Sequence, residues 1–352
     1  MKYITKTSEL LQLLDRLSDQ KYIAYDSEFI RERTFYPELC LIQLATKEEI
    51  AVIDCKAEVQ LDLLFKFLEN FSGEVVMHGC LQDLEILGLY DCLPLKVCDT
   101  QIASSLIGFK PQIGLQSLCS DLLNIDLPKT LSRSNWLKRP LAEDEIKYAA
   151  DDVRHLILLF EILKDKLDEL NRISWFQDDC EALKKEAGGN YCIKFLYRVM
   201  HSNKKLLVDP NYLLTLIEWR EIKAKSLNKP RQWILADRYI KKIAYDRNFS
   251  IKDLPFKSEQ SIVEINEALS SYETKEIKIV SNKGRSDPEE ISFFYKSLAE
   301  KGLELNLNKE VISSKVEVNS YLRREPLVRY GSAWRKAIIK DIQDSFNDPS
   351  RS

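Results

Sequence analysis

Tyr22-Ile23-Ala24-Tyr25-Asp26-Ser27-Glu28-Phe29 is a short aromatic and apolar run of strand character that carries two carboxylates. Side chains alternate between the two faces of a strand, so Asp26 and Glu28 share a face. Like charges about 7 Å apart along one strand repel in a dry setting, and a cation lying between them removes the repulsion. Taken alone, the pair fits an exposed edge strand with solvated carboxylates equally well.

Two further segments add to it. In His78-Gly79-Cys80-Leu81-Gln82-Asp83-Leu84-Glu85-Ile86-Leu87, the apolar run Val75-Val76-Met77 gives way to helical spacing, which puts Asp83 in the first turn of a helix. The helix dipole favours a carboxylate there whatever its role. From Glu143 to Phe160, apolar residues at Ile146, Ala149, Ala150, Val153, Ile157 and Phe160 again have helix spacing. At about 100° per residue, Tyr148 and Asp152 fall within about 40° of each other, with Asp152 at the edge of the apolar stripe and Asp151 turned towards solvent. Asp152 is therefore the better ligand candidate, although such a pair also suits a hydrogen-bonded helix surface. Asp26, Glu28, Asp83 and Asp152, with Tyr148, together read as a carboxylate site for two hard cations, Mg²⁺ or Mn²⁺.

The same segments resemble the ribonuclease D family of DEDD 3′-to-5′ exonucleases. Asp26-Ser27-Glu28-Phe29, followed by Thr34-Phe35-Tyr36-Pro37 and Leu41-Ile42-Gln43-Leu44, is similar to the family's first motif and its continuation. His78 with Gln82-Asp83-Leu84-Glu85 is similar to the second. Tyr148-Ala149-Ala150-Asp151-Asp152 is similar to the third, with the tyrosine that marks the tyrosine subgroup. Asp99-Thr100-Gln101, Lys129-Thr130-Leu131-Ser132-Arg133-Ser134-Asn135-Trp136 and Arg139-Pro140-Leu141 also resemble the family in order and spacing, with Asn135 where it often carries aspartate. The likeness is close over about the first 160 residues and looser beyond. It implies a ribonuclease H-like mixed sheet and two divalent ions per site. Asp26 would bridge them, Glu28 and Asp152 would complete the first site, Asp83 would support the second, and Tyr148 would orient the attacking water. Phe29 stands open between a base-stacking ring and a core residue.

Composition bounds what else the chain can be. With 352 residues, 45% of them hydrophobic, it can bury a substantial core and divide into two or three domains. No apolar run approaches the roughly 18 residues needed to span a bilayer, and the N-terminus lacks a signal-peptide core, so a cytoplasmic protein without membrane association is expected. Eight cysteines are scattered without any Cys-x-x-Cys, which predicts buried free thiols. His78 and Cys80 could take part in a zinc site only with two more soft ligands. No Gly-x-x-x-x-Gly-Lys-Ser/Thr occurs, which argues against a nucleotide-driven motor.

The net charge of −3 conceals an asymmetry: residues 1–203 carry 24 Lys+Arg against 33 Asp+Glu, and residues 204–352 carry 28 against 22. An acidic half that needs cations, joined to a basic half that can hold a polyanion, suits work on nucleic acid; an ordinary solvated helical surface also fits. Short β-like runs at Tyr22 to Phe29, Leu39 to Ala45, Ile50 to Ile53 and Glu74 to His78, mixed with leucine-rich helical stretches, predict an α/β domain. Helical periodicity then takes over, with breaks at Gly188-Gly189, Val208-Asp209-Pro210 and Ser281 to Pro288. We expect an exonuclease domain at 1–170, a helical linker at 171–207, an HRDC domain at 208–280 and a second, divergent HRDC-like domain at 281–352. The HRDC assignments rest on resemblance, carried by Leu216-Ile217-Glu218-Trp219-Arg220 and Asn228 to Asp237, and by Leu307 to Ser314 and Gly331-Ser332-Ala333-Trp334-Arg335. Apolar spacing makes Trp219 and Trp334 core residues. Lys223, Lys225, Lys229, Arg231, Arg238, Lys241 and Lys242 are candidates for phosphate contact.

The activity that the resemblance implies is hydrolytic 3′-to-5′ trimming of RNA, chiefly transfer RNA precursors with single-stranded 3′ ends, by a monomer that releases nucleoside 5′-monophosphates. A DNA exonuclease of the same family is the alternative among enzymes, because a carboxylate metal site does not read the sugar. A catalytically inactive RNA-binding protein is the alternative outside them.

Overall fold

The computed structural model describes residues 1–128, 134–189, 191–200, 206–246, 248–255, 259–271, 288–322 and 332–348. Lys129 to Arg133, Gly331 and Ser281 to Asp287 of the segments quoted above lie outside the described residues. The chain begins β1 (Lys2–Lys6), α1 (Thr7–Leu17), β2 (Tyr22–Ile30), β3 (Glu38–Ala45), β4 (Ile50–Glu58), α2 (Leu61–Asn70), β5 (Glu74–Met77), α3 (Leu81–Leu89) and β6 (Val97–Asp99). Helices follow: α4 (Thr100–Leu106), α5 (Leu115–Leu123), α6 (Glu143–Arg154), α7 (Leu156–Glu169), α8 (Ile173–Ala187), α9 (Tyr191–Met200), α10 (Pro210–Ser226), α11 (Arg231–Ile234), α12 (Asp237–Tyr245) and α13 (Glu259–Ser270). The last four are α14 (Pro288–Glu304), α15 (Lys309–Ile312), α16 (Lys315–Leu322) and α17 (Ala333–Phe346).

The expected mixed sheet is present, with six strands in the order β1-β4-β3-β2-β5-β6. β1 runs parallel to β4, β3 antiparallel to β4, and β2, β5 and β6 are mutually parallel where they pair. Both edge strands, β1 and β6, escape the sequence reading. Alternation along β2 sorts its side chains between two cores. Ile23 and Tyr25 join Leu10, Leu13 and Leu17 of α1, Leu64 and Leu68 of α2, and Leu84 and Leu87 of α3. Tyr22 and Ala24 join Ala149, Ala150 and Val153 of α6 with Leu156, Leu159 and Phe160 of α7. Ala149 and Ala150 are fully buried, and their small side chains let α6 lie close on β2 and β4.

Two compact units emerge from the packing. One contains Met1–Ile30, Leu39–Gly188 and Asn282–Ser352; the other contains Arg31–Glu38 and Gly189–Ser281. Within the first, the C-terminal helices share the core of the sheet domain through Phe294, Leu298, Val311, Ile312 and Ile338. Trp334 stacks on Trp175 at 4.6 Å and donates its indole N–H to Asp179, which also holds the buried Arg335 guanidinium in a two-point ion pair. Arg172 donates to the carbonyls of Leu106 and Leu305.

The second unit is built on α10. The break at Val208-Asp209-Pro210 is its start: the Asp209 carboxylate accepts the Asn211 N–H, and Pro210 fills the first turn. Arg220 is fully buried, pairs with Asp237 and lies 4.6 Å from the centre of the Phe195 ring. Phe35 and Tyr36, from the segment between β2 and β3, donate their backbone N–H groups to the Asn228 side chain. Trp219 and Trp334 are buried, as their spacing predicts. None of the eight cysteines forms a disulfide; seven are buried and Cys55 is half-buried. Among the described residues, no helix is long and apolar enough to cross a membrane.

Candidate active site

Asp26 and Glu28 continue the face of β2 on which Tyr22 and Ala24 pack against α6. That helix is seated by Ala149, Ala150 and Val153, which leaves Asp152 at the margin of the apolar stripe. One carboxylate oxygen from each of Asp26, Glu28 and Asp152 lies within 4.8 Å of the others. Asp151 is turned away and pairs with Arg154 at 2.7 Å. Asp83 does not join this triad. It lies buried in the first turn of α3 and accepts the Ser27 hydroxyl at 2.5 Å, on the odd-numbered side of β2.

The electrostatics follow from crowding out of water. Burial, then the charges of Asp83, Asp152 and Glu28, push the Asp26 carboxyl far above the ordinary range. Burial with the charges of Asp152 and Asp83 raises Glu28 to about 8. Burial, assisted by Asp151, raises Asp152 to about 7, and burial raises Asp83 to about 6 against the lowering effect of the Ser27 hydrogen bond. Among the described residues, no lysine or arginine forms an ion pair with any of the four. Converging hard oxygen donors that no described cationic side chain neutralises fit a hard divalent cation.

Tyr148 sits one helical turn before Asp152, half-buried, with its ring stacked on Trp136 at 6.2 Å and 27°. Phe29 packs against the core formed with α1, α2 and α3, which favours the core reading of that residue. His78 has both ring nitrogens engaged, one with the Thr100 hydroxyl at 2.8 Å and one with the Ile113 carbonyl at 3.0 Å. Burial lowers its pKa, and Cys80 beside it is buried. The three carboxylates are the one group of potential metal ligands among the described residues, so a zinc site at His78 and Cys80 gains no support.

Asp99-Thr100-Gln101 has a supporting part that the sequence did not reveal. Asp99 is almost fully buried and accepts four backbone N–H groups, from Gly79, Cys80, Gln101 and Ile102. It thereby ties the turn between β5 and α3 to the start of α4, and Gly79 supplies the positive φ of 64° that this turn requires. Asp83 owes its location to that turn. A buried aspartate preceding a helix is the only sequence signal that could have suggested it.

Comparisons with known proteins bear on this arrangement. Residues 1–168 match a family model described as 3'-5' exonuclease. A ribonuclease D of Xanthomonas oryzae pv. oryzae is 34% identical over 249 residues, a match covering 69% of this chain and 67% of that one. The chain belongs to the ribonuclease D family. A ribonuclease D of Gluconacetobacter diazotrophicus is 36% identical over 246 residues, 68% of this chain, and the chain spans 62% of that relative's length. The crystal structure of Escherichia coli RNase D, described as an exoribonuclease involved in structured RNA processing, matches with a TM-score of 0.82, covering 97% of each chain at 21% identity. At that identity the likeness speaks for a shared ribonuclease D fold.

Proposed function

We propose that this member of the ribonuclease D family is a hydrolytic 3′-to-5′ exoribonuclease. It trims the 3′ ends of RNA, chiefly transfer RNA precursors, releases nucleoside 5′-monophosphates and acts as a cytoplasmic monomer. The observation that carries the reading is the convergence of Asp26, Glu28 and Asp152 to within 4.8 Å, in a setting that raises the pKa of each. Asp26, Glu28, Asp83 and Asp152 would hold two divalent ions, Mg²⁺ or Mn²⁺. Such ions supply a nucleophile at neutral pH and stabilise the departing 3′-oxygen.

The protein's own groups do the positioning. The Tyr148 hydroxyl, one turn from Asp152, holds the attacking water by hydrogen bonding; with an unperturbed pKa of about 10 a tyrosine is a poor base at pH 7. Asp83, fixed by Ser27 and by the turn that Asp99 organises, supports the second ion. Modular organisation is part of the same proposal: exonuclease domain 1–170, helical linker 171–207, HRDC domain 208–280 and divergent HRDC-like domain 281–352. In the basic half, Lys225, Lys229, Arg238, Lys241 and Lys242 are exposed and, among the described residues, pair with no carboxylate. Lys223 and Arg231 are already engaged within the protein: Lys223 pairs with Glu264, and Arg231 pairs with Glu221 while covering the Phe35 and Tyr191 rings.

The test is digestion of matched RNA and DNA oligonucleotides, with free or phosphate-blocked 3′ ends, in Mg²⁺. Stepwise release of nucleoside 5′-monophosphates from free-ended RNA, abolished by chelator and by the block, is expected. Equal or faster release from DNA would favour the DNA exonuclease, and binding without release would favour an inactive RNA-binding protein.

A further inference from the structure

We propose that Trp136 and Arg139 are positioning residues that act through Tyr148: they fix the plane of its ring, and so the place of the water its hydroxyl holds. This rests on the reading of Tyr148 given above. Neither residue belongs to the carboxylate group, and both lie in the segment that leads into α6.

The geometry forms a continuous chain from the sheet to the ring. Asp54, on β4 and almost fully buried, grips the Arg139 guanidinium at two points, 2.6 Å to Nε and 2.6 Å to Nη2. Tyr3 of β1 donates its hydroxyl to the same carboxylate at 2.5 Å, and Nη2 of Arg139 also donates to the Cys40 carbonyl on β3. Two strands thus hold one guanidinium in a planar fork, with Tyr3 of β1 bracing the carboxylate, a geometry that lysine cannot reproduce. The remaining nitrogen, Nη1, donates to the Trp136 carbonyl at 2.7 Å and to the Lys138 carbonyl at 2.8 Å. The Trp136 backbone is therefore clamped at its carbonyl by Arg139 and at its N–H by the Ser134 carbonyl.

The Trp136 side chain then does something that burial alone does not require. It is 2% exposed, and it presents a flat ring to its neighbour. That ring lies against Tyr148 with centroids 6.2 Å apart and planes 27° from parallel, within the range of offset stacking. Tyr148 is anchored at its backbone by α6, whose seat on β2 and β4 also places Asp152. A stacked neighbour narrows the swing of a tyrosine ring about its side-chain bonds. Misplacement of a reacting group by about 1 Å can cost on the order of 10²-fold in rate.

A double-mutant cycle tests this on the full-length protein with Mg²⁺ and a short single-stranded RNA. Trp136→Leu is expected to lower kcat by roughly 10- to 100-fold while leaving KM and the Mg²⁺ dependence little changed, and Trp136→Phe to restore most of the loss. In a Tyr148→Phe background, which already lacks the hydroxyl, Trp136→Leu should have little further effect. Arg139→Lys is run through the same cycle and serves alone if Trp136→Leu does not fold. Full losses from these substitutions in the Tyr148→Phe background, with Tyr148→Phe itself impaired, overturn this proposal alone. Full activity of Tyr148→Phe by itself overturns the reading of Tyr148, and this proposal with it.

Discussion

Glu28 shows what the crowding of carboxylates does when no cation is bound. Its carboxyl is raised to about 8 by burial and by Asp152 and Asp83, while Asp152 is raised to about 7 and Asp83 to about 6. A folded-state pKa above the unfolded value means that the folded chain binds the proton more tightly. The stabilisation from these protons is complete below about pH 4, the unfolded carboxylate range, and is lost as pH rises through 6 to 8. In chelator, thermal stability should therefore fall between pH 5 and pH 8.5, by roughly 1–2 °C for each kcal/mol of stability removed, given about 2.1 cal/mol/K of unfolding entropy per residue. Saturating Mg²⁺ at pH 8 should recover much of the loss, and Glu28→Gln should flatten the pH dependence. A melting temperature in chelator that is level or rises across that window would remove the electrostatic argument for a cation site. The sequence made the pair on β2 visible through strand alternation alone; which of Asp151 and Asp152 faced it followed from about 100° per residue. The tie between Ser27 and Asp83 lay beyond both, because it joins residues 56 apart by a contact no periodicity describes.

At the scale of elements, α6 is the part on which the site depends. Ala149 and Ala150 are both fully buried, so the distance from this helix to the sheet is set by methyl groups. Ala150→Leu should cost about 1–3 kcal/mol by overpacking and push Asp152 away from Asp26 and Glu28. Nuclease activity should fall further than stability, while Ala150→Gly, which adds no volume, should keep more activity than Ala150→Leu. If both variants lose stability and activity in proportion, the helix does not set the site geometry. α6 could be read from its apolar spacing. β1 and β6 could not: β1 is five residues, Lys2–Lys6, with a single fully buried side chain, and β6 is three residues long. Such short edges carry too few residues for alternation to register, and only pairing with β4 and β5 defines them.

For the molecule as a whole, the acidic and basic halves of the sequence do not map onto the two compact units. Helices α14 to α17 lie in the basic half but contribute to the core of the unit that holds the carboxylates, where Arg335 neutralises the buried Asp179. Truncation after α9 would strip that core and leave Asp179 unpaired, so RNA grip is better probed by charge removal in the intact chain. Replacing Lys225, Lys229 and Lys241 together with glutamine should weaken binding to single-stranded RNA. The slope of log affinity against log salt should flatten by about 0.7 for each RNA phosphate that a lysine no longer neutralises. Degradation of a short RNA should persist, because no metal-site carboxylate is touched. An unchanged salt slope would mean that this surface does not hold RNA.

The sequence by itself determined the α/β domain, the helical remainder, the burial of both tryptophans and the candidate carboxylates, because alternation, helical spacing and motif order are all local in the chain; the mixed sheet came from the family resemblance. Only the tertiary structure decided that Asp26, Glu28 and Asp152 meet while Asp83, near enough to raise Asp26, is held by the Ser27 hydroxyl. It also decided that Lys223 and Arg231 are spent on ion pairs and that Arg139 links β3 and β4 to the neighbour of Tyr148. Each of those depends on distances between residues far apart in sequence. They are fixed by how helices seat on a twisted sheet and by which buried charges must find a partner, and no pattern along the chain encodes them.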